Sequence, residues 1–205
     1  MSVLKIITWP AQVLETKAED VQVFDQDLKK LVVDMHDTMN DADAIGLAAN
    51  QINIAKRVLV LKIPYSAPRE RGGEDLGDED GEEDLEGQTK SSRKKQRVME
   101  ERCWWHDKPM TFINPVILEK RGTISYVEGC LSFPEIFEGV DRAAYVKVKA
   151  MDERGVEFEV EAEGIFSVCL QHEIDHIDGI VFFKRMSRLK AKSIQNKMLK
   201  RERLK

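Results

Sequence analysis

His172-Glu173-Ile174-Asp175-His176 is the segment whose residue types and spacing can do chemistry. Histidines at i and i+4 lie on one helical face about one turn apart, so both imidazoles can reach a single cation. Glu173 projects from a neighbouring angle, placed to take a proton from water held at that cation. Ile165, Val168 and Cys169 share the histidine side of the same helix and set the site against an apolar wall. Dry surroundings strengthen a cation's pull on water and on a carbonyl oxygen. The plain alternative is two core histidines satisfied by backbone carbonyls, and the intervening glutamate weighs against it. His36 and His106 have no paired ligand and read as surface or packing residues.

Two imidazoles do not complete a metal site. The extended HExxHxxGxxH pattern would place a third histidine at position 182, which is Phe182. A glutamate on a later helix would have to be Glu202, which sits among basic residues. The third ligand is therefore sought upstream. Cys130, in Glu128-Gly129-Cys130-Leu131-Ser132-Phe133-Pro134, lies between a strand and a proline, where backbone is irregular. A thiol near two imidazoles and a divalent cation ionises and binds. Cys169 and Cys103 read instead as small buried hydrophobes. Nitrogen, nitrogen and thiolate suit zinc or ferrous iron. An HExxH zinc endopeptidase and a non-catalytic protein with a structural metal both stay open on these residues alone. A structural site closes with four ligands, however, and the sequence supplies three good ones.

These groups need elements to position them. Leu28, Leu31, Val32, Met35 and Met39 recur at spacings of three and four, predicting a helix over Asp25–Asn40 with Asp25 as its cap. Residues 43–51 read as a loop around Gly46, and Arg57–Ile63 as a buried strand. Further strands are expected at Met110–Asn114, Val116–Lys120 and Thr123–Val127. Tyr145–Ala150 and Val156–Ala162 alternate apolar with lysine or glutamate and predict an antiparallel hairpin with one wet face. The chemical helix runs over Gly164–Asp178 and stops at Gly179. A basic helix follows from Ser187, with Leu189, Ile194 and Met198 on one side. The fold class expected is α+β: antiparallel strands around a central HExxH helix, with an N-terminal and a C-terminal helix.

At 205 residues and 42% hydrophobic, the chain suits one domain, residues 1–205, with a sizeable core. Its net charge of −5 is local, because nine carboxylates fall within Glu74–Glu86 and the rest of the chain is net positive. Residues 66–105 run glycine-rich, acidic, then basic, and are expected to form a mobile insertion. No apolar run is long enough for a membrane helix. Three cysteines and an N-terminus unlike a signal peptide favour a reducing cytoplasm over a disulfide framework.

Three segments in order resemble the bacterial form of the peptide deformylase family: Gly46-Leu47-Ala48-Ala49-Asn50-Gln51, Glu128-Gly129-Cys130-Leu131-Ser132 and Gln171-His172-Glu173-Ile174-Asp175-His176. The resemblance implies hydrolysis of the formyl group from N-terminal formyl-methionine of new polypeptides, with release of formate. It implies one divalent ion, Fe(II) favoured and Zn(II) possible, held by Cys130, His172 and His176. It implies Glu173 as general base then acid, and Gln51 with the Leu131 N–H as oxyanion donors. Gly46 would hold the substrate backbone; Ile45, Ile165, Val168 and Cys169 would receive the methionine; Glu128 and Arg142 would brace the cysteine loop. A monomer is expected, and the basic C-terminal helix is a possible ribosome contact. The chain departs from the common pattern at Ala44, at Glu135–Gly139 and in the acidic insertion.

Overall fold

The computed structural model describes residues 2–64 and 107–203. The expectations for the insertion at 66–105, for Cys103 and for His106 lie outside the described residues. The described elements are mixed α and β. Strands β1 (Gly46–Ala48), β2 (Val58–Leu61), β3 (Met110–Arg121), β6 (Tyr145–Met151) and β7 (Glu157–Glu163) form one sheet in the order β1-β2-β3-β6-β7. Strands β4 (Ile124–Gly129) and β5 (Phe137–Arg142) pair separately. Every pairing between these strands is antiparallel. The helices are α1 (Gln26–Asp41), α2 (Gly164–Ile177) and α3 (Arg188–Glu202).

Helix α1 starts where Asp25 accepts a hydrogen bond from the Leu28 N–H at 3.0 Å, which satisfies one orphan donor of the first turn. Its Leu28, Val32, Met35 and Met39 are buried among Leu47, Val58, Val60 and Ile113. Fully burying such side chains is worth about 1.5–3 kcal/mol each. The β6–β7 hairpin has the alternation read from sequence, except that Val156 precedes the strand and is exposed. Lys147 and Lys149 bond diagonally across it, to Glu159 at 2.7 Å and Glu157 at 2.8 Å.

Helix α2 is buried from Phe166 to Ile177, as a helix apolar on most sides must be. Phe166, Leu170, Ile174 and Ile177 belong to the main core with β2 and β6. Its polar residues must then find partners, since an unpaired buried polar group costs about 1–3 kcal/mol. Ser167 Oγ and Gln171 Nε2 both donate to the Ala143 carbonyl at 2.9 Å, and Gln171 Oε1 accepts from the Ala143 N–H at 3.1 Å. That ladder ties α2 to the end of β5. The helix stops at Gly179, whose φ of +71° an L side chain adopts reluctantly.

Three expectations are corrected, and one strand had not been foreseen. The loop expected over 43–51 contains regular structure: Gly46–Ala48 pairs with β2, and a 3₁₀ turn begins at Ala49 and runs to Ile52. The two strands expected on either side of Pro115 are one, β3, with a register shift between Ile113 and Val116. Asn114 there has φ +51°, and its side chain bonds the Val21 N–H and C=O at 2.8 and 2.9 Å. Strand β5 was not expected, because its pattern is inverted: Phe137 is exposed and Arg142 is buried. Leu189 does not share the buried side of α3; it is exposed, whereas Ile194 and Met198 are buried.

Candidate active site

The site lies where α2, the β1 segment and the loop after β4 meet. The cysteine loop is held from below by aromatic packing. Phe133 is fully buried, its ring centroid 5.2 Å from Phe182 and 5.4 Å from Phe183, and Trp9 donates its backbone N–H to the Ser132 carbonyl at 3.1 Å. The Phe133 N–H donates to the Cys130 carbonyl at 2.9 Å, closing a tight turn with Cys130 at its head. On the facing side, the Asn50 amide donates to the Val13 and Thr16 carbonyls at 3.0 and 2.8 Å, fixing the turn that carries Gln51.

These constraints bring Cys130, His172 and His176 together, with one ligand atom from each lying within 4.8 Å of the others. Cys130 Sγ is 3.2 Å from His176 Nε2. The two imidazoles stand edge to face with centroids 4.9 Å apart, as one helical turn dictates. His172 Nδ1 is committed to Glu128 Oε2 at 2.7 Å, which leaves Nε2 for the cluster. Among the described residues this is the one group of three or more His, Cys, Asp or Glu side chains able to hold a metal ion. Its donors, two nitrogens and a sulfur, fit zinc or ferrous iron.

Glu173 is buried, with Oε2 lacking a hydrogen-bond partner. Burial pushes its pKa up to about 7, against the opposing pull of His172 and Arg142. Burial alone would lower His172, but Cys130 and Glu128 outweigh it and hold the imidazole well above its ordinary range. His176 goes the other way, lowered by burial and then by His172. Burial would raise Glu128, yet Arg142 and His172 hold it down at about 2. Cys169 is pushed well up by burial and by Glu173, consistent with a packing thiol.

The cluster opens into a cleft of about 570 Å³. Ile45, Gly46, Gln51 and Leu131 line it, as do Ile165, Val168 and Cys169 on the α2 side. Gln51 Oε1 accepts from the Ala48 N–H at 2.8 Å, which turns Nε2 toward Cys130 Sγ, 3.7 Å away. Glu128 and Arg142 lie behind the site as a bidentate pair at 2.6 and 2.9 Å. All of the singled-out residues therefore converge on one region. Two that the sequence reading passed over are Asp175 and Arg185, which bond each other and, through Asp175, Arg142. The signal available for Asp175 was a carboxylate inside the His-Glu-Ile-Asp-His segment with no assigned task.

A buried carboxyl and two buried imidazoles beside a half-buried thiol, opening on an apolar cleft, are the equipment of a hydrolase that works with a bound cation. A family model described as polypeptide deformylase matches residues 3–192. The chain belongs to that family. It is 38% identical over 202 residues to a peptide deformylase of Neisseria gonorrhoeae, covering 98% of each. It is 42% identical over 188 residues to peptide deformylase 1 of Bacillus subtilis, covering 92% of each. Among solved structures, a peptide deformylase from Ehrlichia chaffeensis in complex with actinonin superposes with a TM-score of 0.77 at 33% identity, over 99% of each chain.

Proposed function

We propose that this enzyme hydrolyses the formyl group from the N-terminal formyl-methionine of newly made polypeptides and releases formate. The observation that carries this reading is the convergence of Cys130, His172 and His176 beside the buried carboxyl of Glu173. On it, α2 is the central element about which the strands are arranged, and Cys130, His172 and His176 hold one divalent cation. Fe(II) is favoured and Zn(II) is the alternative occupant. When bound, such a cation supplies a Lewis acid for the formyl oxygen and lowers the pKa of water to about 7.

The protein's own residues do the rest. Glu173 takes the proton from the attacking water at its carboxylate and passes it to the departing amine as the C–N bond breaks. A carboxyl poised near 7 suits both halves of that transfer. Gln51 Nε2 and the Leu131 N–H donate to the oxygen that becomes negative; losing one such donor costs about 10²–10³ in rate. The Gly46 backbone holds the peptide as an added strand, and Ile45, Ile165, Val168 and Cys169 receive the methionine side chain. Glu128, braced by Arg142, fixes the tautomer and orientation of His172. We place the enzyme in the cytoplasm as a monomer meeting nascent chains, with basic α3 as its candidate ribosome contact. Among the described residues no helix is long and apolar enough to cross a membrane.

The test is formate release from a formyl-Met dipeptide by protein loaded anaerobically with Fe(II). Formate production that falls by about 10²–10⁴ in Glu173→Gln, with cation content unchanged, supports the reading. Cleavage of internal bonds in casein without formate release would favour a zinc endopeptidase instead.

A further inference from the structure

Behind the three candidate ligands runs a continuous line of charges. Arg185 donates from Nε to Asp175 Oδ2 at 3.0 Å and from Nη2 to Oδ1. Arg142 Nη1 donates to the same Asp175 Oδ2 at 2.5 Å. Arg142 Nε and Nη2 donate to the two oxygens of Glu128, and Glu128 Oε2 also accepts from His172 Nδ1. Glu128 Oε2 is thus shared between Arg142 Nη2 at 2.9 Å and His172 at 2.7 Å. The line alternates cation and anion, and its members differ sharply in access to water. The Arg142, Glu128 and Asp175 side chains are 3%, 4% and 7% exposed, whereas that of Arg185 is 40% exposed.

We infer that Asp175 is a positioning residue for the metal centre: by engaging Arg142 it leaves Glu128 enough negative charge to orient and polarise His172. The inference rests on the proposed cation site and names a residue that reaches it only through two others. Arg142 has two carboxylates within reach, one on each side. Without Asp175, Glu128 is the one ion-pair partner left to its buried charge among the described residues, since a guanidinium this deep cannot turn to water. Glu128 is then drawn toward Arg142 and becomes a poorer acceptor for the His172 Nδ1–H. An imidazole with a weakened Nδ1 partner is a less basic ligand at Nε2. Arg185 acts in the opposite sense. It competes with Arg142 for Asp175 from the solvent side, and once released from Asp175 it can be hydrated.

Asp175 and its solvent-side partner Arg185 are therefore expected to give different outcomes, which a merely structural brace would not. The experiment titrates Co(II) into the full-length protein against a competing chelator, following the thiolate-to-cobalt absorbance band, with circular dichroism as the check on folding. Asp175→Asn is expected to bind Co(II) about 10–100-fold more weakly than wild type. Arg185→Gln is expected to bind it as tightly as wild type or more tightly. Wild-type affinity in folded Asp175→Asn would overturn the positioning role, as would comparable weakening in both variants. If Asp175→Asn does not fold, Arg185→Gln decides alone: retained affinity supports the inference and weakening overturns it. A wild-type chain that gives no thiolate–cobalt band would overturn the cation site itself, an outcome distinct from equal affinities among binding variants.

Discussion

A β-carbon on Gly46 would stand 2.5 Å from Glu173 Oε1 and 2.9 Å from its Cδ, with Cys169 Sγ at 3.0 Å. The proposed general base is thus packed directly against the backbone of the strand proposed to hold substrate. Only a residue without a side chain allows that approach. Gly46→Ala is expected to push the carboxyl aside. A displacement of about 1 Å at a reacting group can cost about 10² in rate. Steady-state formate release should show that loss in kcat, with the cation still bound through residues that Gly46 does not touch. An Ala variant with wild-type kcat would mean that the carboxyl can move without consequence.

Cys130, in the loop after β4, and Cys169, on α2, are both free thiols in different surroundings. Cys130 Sγ faces His176 Nε2 and the Gln51 amide, whereas Cys169 is buried and its sulfur lies 3.7 Å from the Ile45 carbonyl. Cys130→Ala should abolish stoichiometric cation binding, measured by metal analysis after dialysis. Cys169→Ala should keep the cation and raise KM for formyl-methionine substrates, because it enlarges the pocket wall without removing a ligand. The reverse pattern would exchange their roles.

Asn114 gives a stability prediction remote from the chemistry. Its carboxamide satisfies both the N–H and the C=O of Val21 while its own backbone sits at φ +51°. Asn114→Ala removes both bonds and places a β-carbon in the left-handed region, for an expected loss of about 2–4 kcal/mol in denaturant unfolding. Asn114→Gly loses the bonds but not the conformation, and should be about 1 kcal/mol less destabilising. Equal losses would show that the backbone conformation contributes nothing.

The same residue explains where the sequence could and could not be read. Asn114-Pro115 looks like the end of a strand, because proline lacks a ladder donor and a positive φ interrupts the pleat. Nothing local announces that Val21, far away in the chain, receives the side chain and lets β3 continue past the irregularity. The β6–β7 hairpin was legible because its alternation matches one wet and one dry face. Strand β5 was not, since its buried Arg142 and exposed Phe137 answer to Glu128, Asp175 and the cleft rather than to hydrophobic patterning. The donor set was legible for a different reason. Two histidines on one helical face need only local geometry, and an upstream cysteine in irregular backbone completed them by chemistry. The line from His172 back to Arg185 depends on long-range packing, which spacing alone does not encode.

His36 offers a pH test away from the cation site. It lies in α1, half-buried, with Nε2 3.1 Å from Thr111 Oγ1 on β3 and Nδ1 buried without a partner. Burial lowers its pKa below the ordinary 6.5; Glu153 and Asp37 oppose the shift and Lys62 adds to it. A histidine whose folded pKa is depressed binds fewer protons in the native state than in the unfolded chain. Stability is therefore independent of this group well above 6.5 and declines as pH falls below it, until His36 protonates in the native state as well. His36→Gln has no proton to gain and should lose less stability than wild type between pH 7 and pH 5. Urea unfolding of both proteins across that interval measures the difference. Parallel curves, or a steeper decline in His36→Gln, would show that packing against Thr111 does not disfavour the charged ring.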